Sequence, residues 1–69
     1  MMTRDEALAI LDLVDDPASV RVDAYDANLI DSLLKQSDRP GWTPSDRQQT
    51  QLLRLKREAE RQIERRRGR

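Results

Sequence analysis

The chain has no cysteine, no histidine and no phenylalanine, and its 69 residues include one tryptophan, one tyrosine and two glycines. Without Cys and His there is no disulfide framework, no thiolate or imidazole zinc site, no thiol nucleophile and no imidazole base. The aspartate clusters, such as Asp12, Asp15 and Asp16, lack the loop glycine and ligand spacing of a calcium site. No catalytic residue, cofactor or metal is therefore expected. No apolar run approaches the roughly 18 residues that a membrane span needs, and no signal-peptide core follows the start. The expectation is a cytoplasmic protein without membrane contact.

What is present is charge. Charged residues make up 38% of the chain and apolar ones 36%, at a formal net charge of zero. That composition suits one small domain over residues 1–69. Burying a large apolar side chain contributes roughly 1.5 to 3 kcal/mol, while ordering each residue costs roughly 1.5 kcal/mol, so a core this small leaves a monomer near balance. A homodimer is the expected state.

The neutral total hides a split. Residues 1–38 hold nine acids against three bases, a net charge of −6, and residues 39–69 hold ten bases against four acids, a net charge of +6. Such asymmetry either steers an oppositely charged partner or is answered within the fold or across a dimer.

Periodicity and caps predict an all-α chain of three helices, at about 3–14, 23–36 and 44–67. Thr3 and Glu6 form a capping-box pattern, and Ala7, Leu8, Ile10, Leu11 and Val14 follow at helical spacing until Pro17 stops the run. Residues 17–22 read as an extended linker. Asp23 caps a second helix on which Tyr25, Leu29, Ile30, Leu33 and Leu34 cover about half the circumference. A helix apolar on two sides is expected at the centre of the fold or of its dimer seam. After the turn chemistry of Ser37, Asp38, Arg39, Pro40 and Gly41, Thr43 is the expected cap of the third helix, with Pro44 at its first position.

The third helix is longer than a core of this size requires. Leu52, Leu55, Ala59 and Ile63 line one face, with Leu53 at its edge, while Arg47, Arg54, Arg61 and Arg65 stripe the opposite face, with Arg57 close by. The last three turns hold little apolar surface besides Ile63, so they project into solvent or lie along another chain. The arginines suit phosphates or an acidic protein face. The competing reading is a solvated face held by the pairs Arg54–Glu58, Glu58–Arg61, Arg57–Glu60 and Arg61–Glu64, with the terminal arginines serving the helix dipole. Trp42 is either a binding anchor or a plug folded onto the core. The candidate partner-contact residues are thus Trp42, Leu52, Leu55, Ala59, Ile63, Arg61 and Arg65, and the candidate core or dimer residues are Tyr25, Leu29, Ile30, Leu33 and Leu34.

Two functions fit this inventory. One is a non-enzymatic protein-binding inhibitor. The alternative is a nucleic-acid binder that uses the Arg-rich C-terminal helix. A helix-turn-helix reader fits poorly, because residues 37–43 form a longer connection than that motif's three or four and contain Pro40 and Gly41. Glu58, Glu60 and Glu64 would also be carried toward phosphate.

In length, in Asp- and Arg-rich composition, in lacking Cys and His, and in the passage from Ala27-Asn28-Leu29-Ile30-Asp31-Ser32-Leu33-Leu34 to Gly41-Trp42-Thr43-Pro44, the chain resembles small early proteins of Mu-like Pseudomonas phages, a group that includes anti-activators of quorum sensing. The resemblance implies a compact helical protein that blocks host proteins by occupying their surfaces. The partners it implies are a quorum-sensing transcriptional activator of the LasR type and a type IV pilus assembly ATPase of the PilB type. It assigns no binding residue.

Overall fold

The computed structural model describes residues 2–16 and 20–67. Three helices account for most of them: α1 (Arg4–Val14), α2 (Ala24–Ser37) and α3 (Asp46–Arg67). No strand occurs among the described residues. The expected proline stop at Pro17 and the basic terminus at Arg69 lie outside the described residues.

The first two helix starts follow their local chemistry. Thr3 Oγ1 accepts from the Glu6 backbone N–H, and Glu6 Oε1 accepts in return from the Thr3 N–H, so the box satisfies two donors at once. Asp23 Oδ1 accepts from the Asp26 N–H at 2.8 Å and caps α2.

The third helix begins later than expected. Ser45, not Thr43, closes a box with Gln48: Gln48 N–H donates to Ser45 Oγ, and Ser45 N–H donates to Gln48 Oε1. Pro44 therefore precedes the cap, where it is buried, instead of occupying the first helical position. Gln49 fastens the entry by donating to the Pro44 carbonyl at 3.1 Å and accepting from the Met2 N–H at 3.4 Å. The turn before it runs through Gly41 at φ +78°, a left-handed conformation that glycine adopts without a Cβ penalty. This turn returns Trp42, half-buried, against the core.

The centre of the fold is α1. It packs on α3 along one flank and on α2 along the other, while the α2 and α3 backbones make no comparable approach. The expectation that α2 is sandwiched is corrected for the single copy, while its alternative, a place at the centre of a dimer seam, concerns a second copy. Among its apolar residues only Ile30 and Leu33 are fully buried, Leu29 and Leu34 are half-buried beside the core, and Tyr25 is 67% exposed. Tyr25 is thus not a core residue of the chain: it stands in the first turn of α2, at the edge of the face that α1 covers.

A second correction concerns α3. Leu52, Leu55 and Ala59, expected to await a partner, are buried with Ala7, Ile10, Leu11 and Val14 of α1 in one cluster inside a single copy. The physical reason is size. Ala7 on one helix and Ala59 on the other, both fully buried, let the two backbones come close, so even a short α1 can bury the stripe. The unsupported part of α3 is shorter than its sequence suggests. Gln62 and Ile63 are half-buried, and the unbroken exposed run at the end of the described helix is residues 64–67. The molecule is elongated, 41 × 24 × 17 Å, because α3 runs about 33 Å at 1.5 Å per residue.

Candidate protein-binding groove

Beside the core cluster that Ile30 and Leu33 share with Leu52 and Leu55, α2 and α3 face each other across a gap that long polar side chains bridge. Near one end Gln48 Nε2 donates to Gln36 Oε1 at 2.7 Å. Near the other the Arg54 guanidinium meets the Asp26 carboxylate with both nitrogens, Nη2 to Oδ1 at 2.7 Å and Nη1 to Oδ2 at 3.2 Å. Asp26 lies on the same face of α2 as Ile30, Leu33 and Ser37, one turn earlier, and its side chain is only 14% exposed. A carboxylate on an inward face requires a cation, and Arg54 supplies it. The hydrogen bond to Asp26 raises the Arg54 pKa above its ordinary value against the opposing effect of burial, with the charges of Asp26 and Asp23 and nearby Tyr25 adding to the rise.

The segment entering α2 forms the third wall. Arg21 is held to α3 through its backbone: its N–H donates to Gln62 Oε1 and its carbonyl accepts from Gln62 Nε2, both at 2.8 Å. This clasp seats Val20 in the core and Val22 beside it. Together these elements enclose an open groove of about 710 Å³. Val20, Val22, Leu53 and Leu55 supply its apolar surface, and Arg21, Asp23, Arg57, Glu58 and Arg61 stand around it.

Of the two exposed large apolar side chains among the described residues, Leu53, 45% exposed, lines the groove, while Tyr25 precedes Asp26 in the chain without lining it. Around the groove the charges are unequally answered. Arg54 is paired with Asp26, and Arg61 lies 3.7 Å from Glu58. Arg21 and Arg57 have no ion pair among the described residues, nor do the expected pairs Arg57–Glu60, Arg61–Glu64 and Arg54–Glu58 form. Arg54 reaches Asp26 instead, because an inward carboxylate gains more from a cation than an exposed glutamate does.

Of the residues selected from the sequence, only Leu55 and Arg61 line the groove. Arg65 is exposed and Ile63 half-buried farther along α3, while Trp42, Leu52 and Ala59 support the fold. Sequence reasoning did not select Val20, Arg21, Val22, Asp26 and Leu53 for a site, and it reached Arg54 and Arg57 only as members of the arginine stripe. Two signals were present: an aspartate in register with Ile30 and Leu33, and a leucine displaced from the Leu52–Leu55–Ala59 stripe.

No group of three or more acidic residues that could hold a metal occurs among the described residues, and none of the helices is long and apolar enough to cross a membrane. Compared with models of protein families, with curated proteins and with solved structures, the chain finds no match.

Proposed function

We propose that the chain is a non-enzymatic binding protein that inhibits a host protein by docking it in the groove between α2 and α3. The observation that carries this reading is that Leu53, one of the two exposed large apolar side chains, lines a groove of about 710 Å³ together with Arg21 and Arg57, which have no ion pair among the described residues. Arginine is among the residue types that concentrate binding energy at interfaces, and a cleft lets its surroundings exclude water. The resemblance to phage anti-activators adds candidates for the partner: a quorum-sensing activator of the LasR type and a pilus assembly ATPase of the PilB type.

Co-purification of the tagged chain with each purified candidate tests the reading. The expected result is retention by the wild-type chain and loss of retention with Leu53→Asp. Equal retention by both chains overturns the groove as the site.

The proposal includes a homodimer. Its support is Ile63, half-buried yet outside the core cluster, on a helix whose last turn is exposed. Light scattering decides the point: a solution mass near 8 kDa at all concentrations removes the dimer.

Nucleic-acid binding is retained as a second reading because Arg47, Arg57 and Arg65 of α3 have no ion pair among the described residues. A gel shift at low and moderate salt tests it, since phosphate contacts weaken steeply with salt. Absence of a shift at low salt removes that reading.

A further inference from the structure

We infer that the occupant of the groove is an acidic segment of a partner protein, its apolar side chains seated on Leu53, Val20 and Val22 and its carboxylates held by Arg57 and Arg21. This inference rests on the reading of the groove as a protein-binding site and adds the chemistry of what it takes.

Subtracting the charges that the fold already uses leads to this partner. Asp26 is engaged by Arg54, Glu58 lies beside Arg61, and Asp23 caps α2. What remains among the lining residues is a pair of guanidiniums, Arg21 from the segment before α2 and Arg57 from α3, beside the apolar Val20, Val22, Leu53 and Leu55. Guanidinium forks bind carboxylates with two parallel hydrogen bonds and lose less on desolvation than an ammonium does. One turn beyond Arg61, Arg65 extends the basic edge along the same helix. The lining residues of α3 run from Thr50 to Arg61, about 17 Å at 1.5 Å per residue, which matches three turns of helix.

The other occupants fit less well. A nucleic acid would bring phosphates against Asp23 and Glu58 and would leave Val20, Val22 and Leu53 facing a charged backbone. The exposed last turn of a second copy's α3 carries Arg65, Arg66 and Arg67 and would meet the groove's own arginines. The copy's own acid-rimmed surface, with Asp12, Asp15 and Asp38 around Leu8, Ala9 and Leu34, is itself a hollow between α1 and α2. The apolar face of its acidic α1 is already buried in its own core.

The test pans a display library of random peptides, each about twelve residues and so long enough for three helical turns, against the full chain. Enriched peptides are then titrated by fluorescence anisotropy against the wild type, Leu53→Asp, Arg57→Glu and Arg57→Lys. The expected result is enrichment of Asp and Glu beside Leu, Ile or Phe. Binding should weaken about tenfold or more with Arg57→Glu, a loss partly restored by Arg57→Lys. Circular dichroism melts of the variants confirm that folding is kept. Neutral or basic peptides that depend on Leu53 but not on Arg57 overturn the acidic occupant and leave the groove reading standing. Peptides insensitive to Leu53 and Arg57 alike, or no enrichment at all, overturn both. A mixed-sequence oligonucleotide that displaces the peptides and itself depends on Arg57 overturns the inference in favour of nucleic acid.

Discussion

The two flanks of α3 are built by different means. Toward α1 it presents Leu52, Leu55 and Ala59, all buried, and the seam is apolar and close. Toward α2 it presents Gln48 and Arg54, and the contact is two polar bridges across open space. The buried Ile30 and Leu33 of α2 share the core cluster with that seam, but the backbones of α2 and α3 make no approach comparable to that of α1 and α3. Small buried residues, Ala7 on α1 and Ala59 on α3, mark the pair of helices that closes, whereas the inward Asp26 of α2 is answered by the long side chain of Arg54. A helix held on one side and tethered on the other leaves a groove, and the exposed Leu53 lines it.

The largest expected effects lie in the packed flank. Leu11→Ala removes a fully buried side chain from the cluster and should cost about 2 to 5 kcal/mol, measured by urea unfolding. Leu33→Asp places a charge at a site 1% exposed and should abolish helical content by far-ultraviolet circular dichroism. If either variant unfolded within about 0.5 kcal/mol of the wild type, as surface changes do, the seam around α1 would not be what holds the chain together.

The bridged flank should respond more weakly. Asp26→Asn breaks an ion pair whose arginine is half exposed, so a loss of up to about 1 kcal/mol is expected. Asp26→Leu should hold or raise stability by extending the Ile30 and Leu33 face, because an apolar residue replaces a desolvated carboxylate. The bridge adds no pH dependence from its arginine in the neutral range. A raised folded-state value leaves that contribution fully present below the ordinary arginine pKa, and it is lost only as pH rises through the folded value at strong alkalinity. An Asp26→Leu variant destabilised by more than Asp26→Asn would show that the gap is set by this bridge.

How far the sequence reveals these flanks depends on the range of the interaction. The Thr3 and Asp23 caps are legible because each is settled within three residues, and so are the helix faces at Ile30 and Leu33, which follow from periodicity. The start of α3 misleads because two capping patterns overlap, Thr43 before Pro44 and Ser45 before Gln48, and the glutamine box prevails. The central position of α1 is not written in any local pattern. It depends on which apolar faces meet, and a stripe such as Leu52, Leu55 and Ala59 reads alike whether its partner is α1 or another chain. The groove follows from that choice, so its residues were scattered across a linker, a cap and a helix edge with no common motif. Ser45→Ala tests the cap by itself, with an expected loss of about 0.5 to 2 kcal/mol by thermal or urea unfolding, whereas Thr43→Ala should be nearly silent.

The smallest effect on stability is also the most telling about the open flank. Tyr25→Ser and Leu53→Ser remove the two most exposed large apolar side chains, and each should change the unfolding free energy by less than about 0.5 kcal/mol. Their effect should appear in binding instead, as weaker retention of a partner that the wild-type chain holds. If either substitution cost more than about 1 kcal/mol and that cost grew with protein concentration, the surface would be covered by a second copy, because only association makes stability depend on concentration. The groove would then be a subunit seam, and the contrast between the flanks of α3 would be the contrast between folding and assembly.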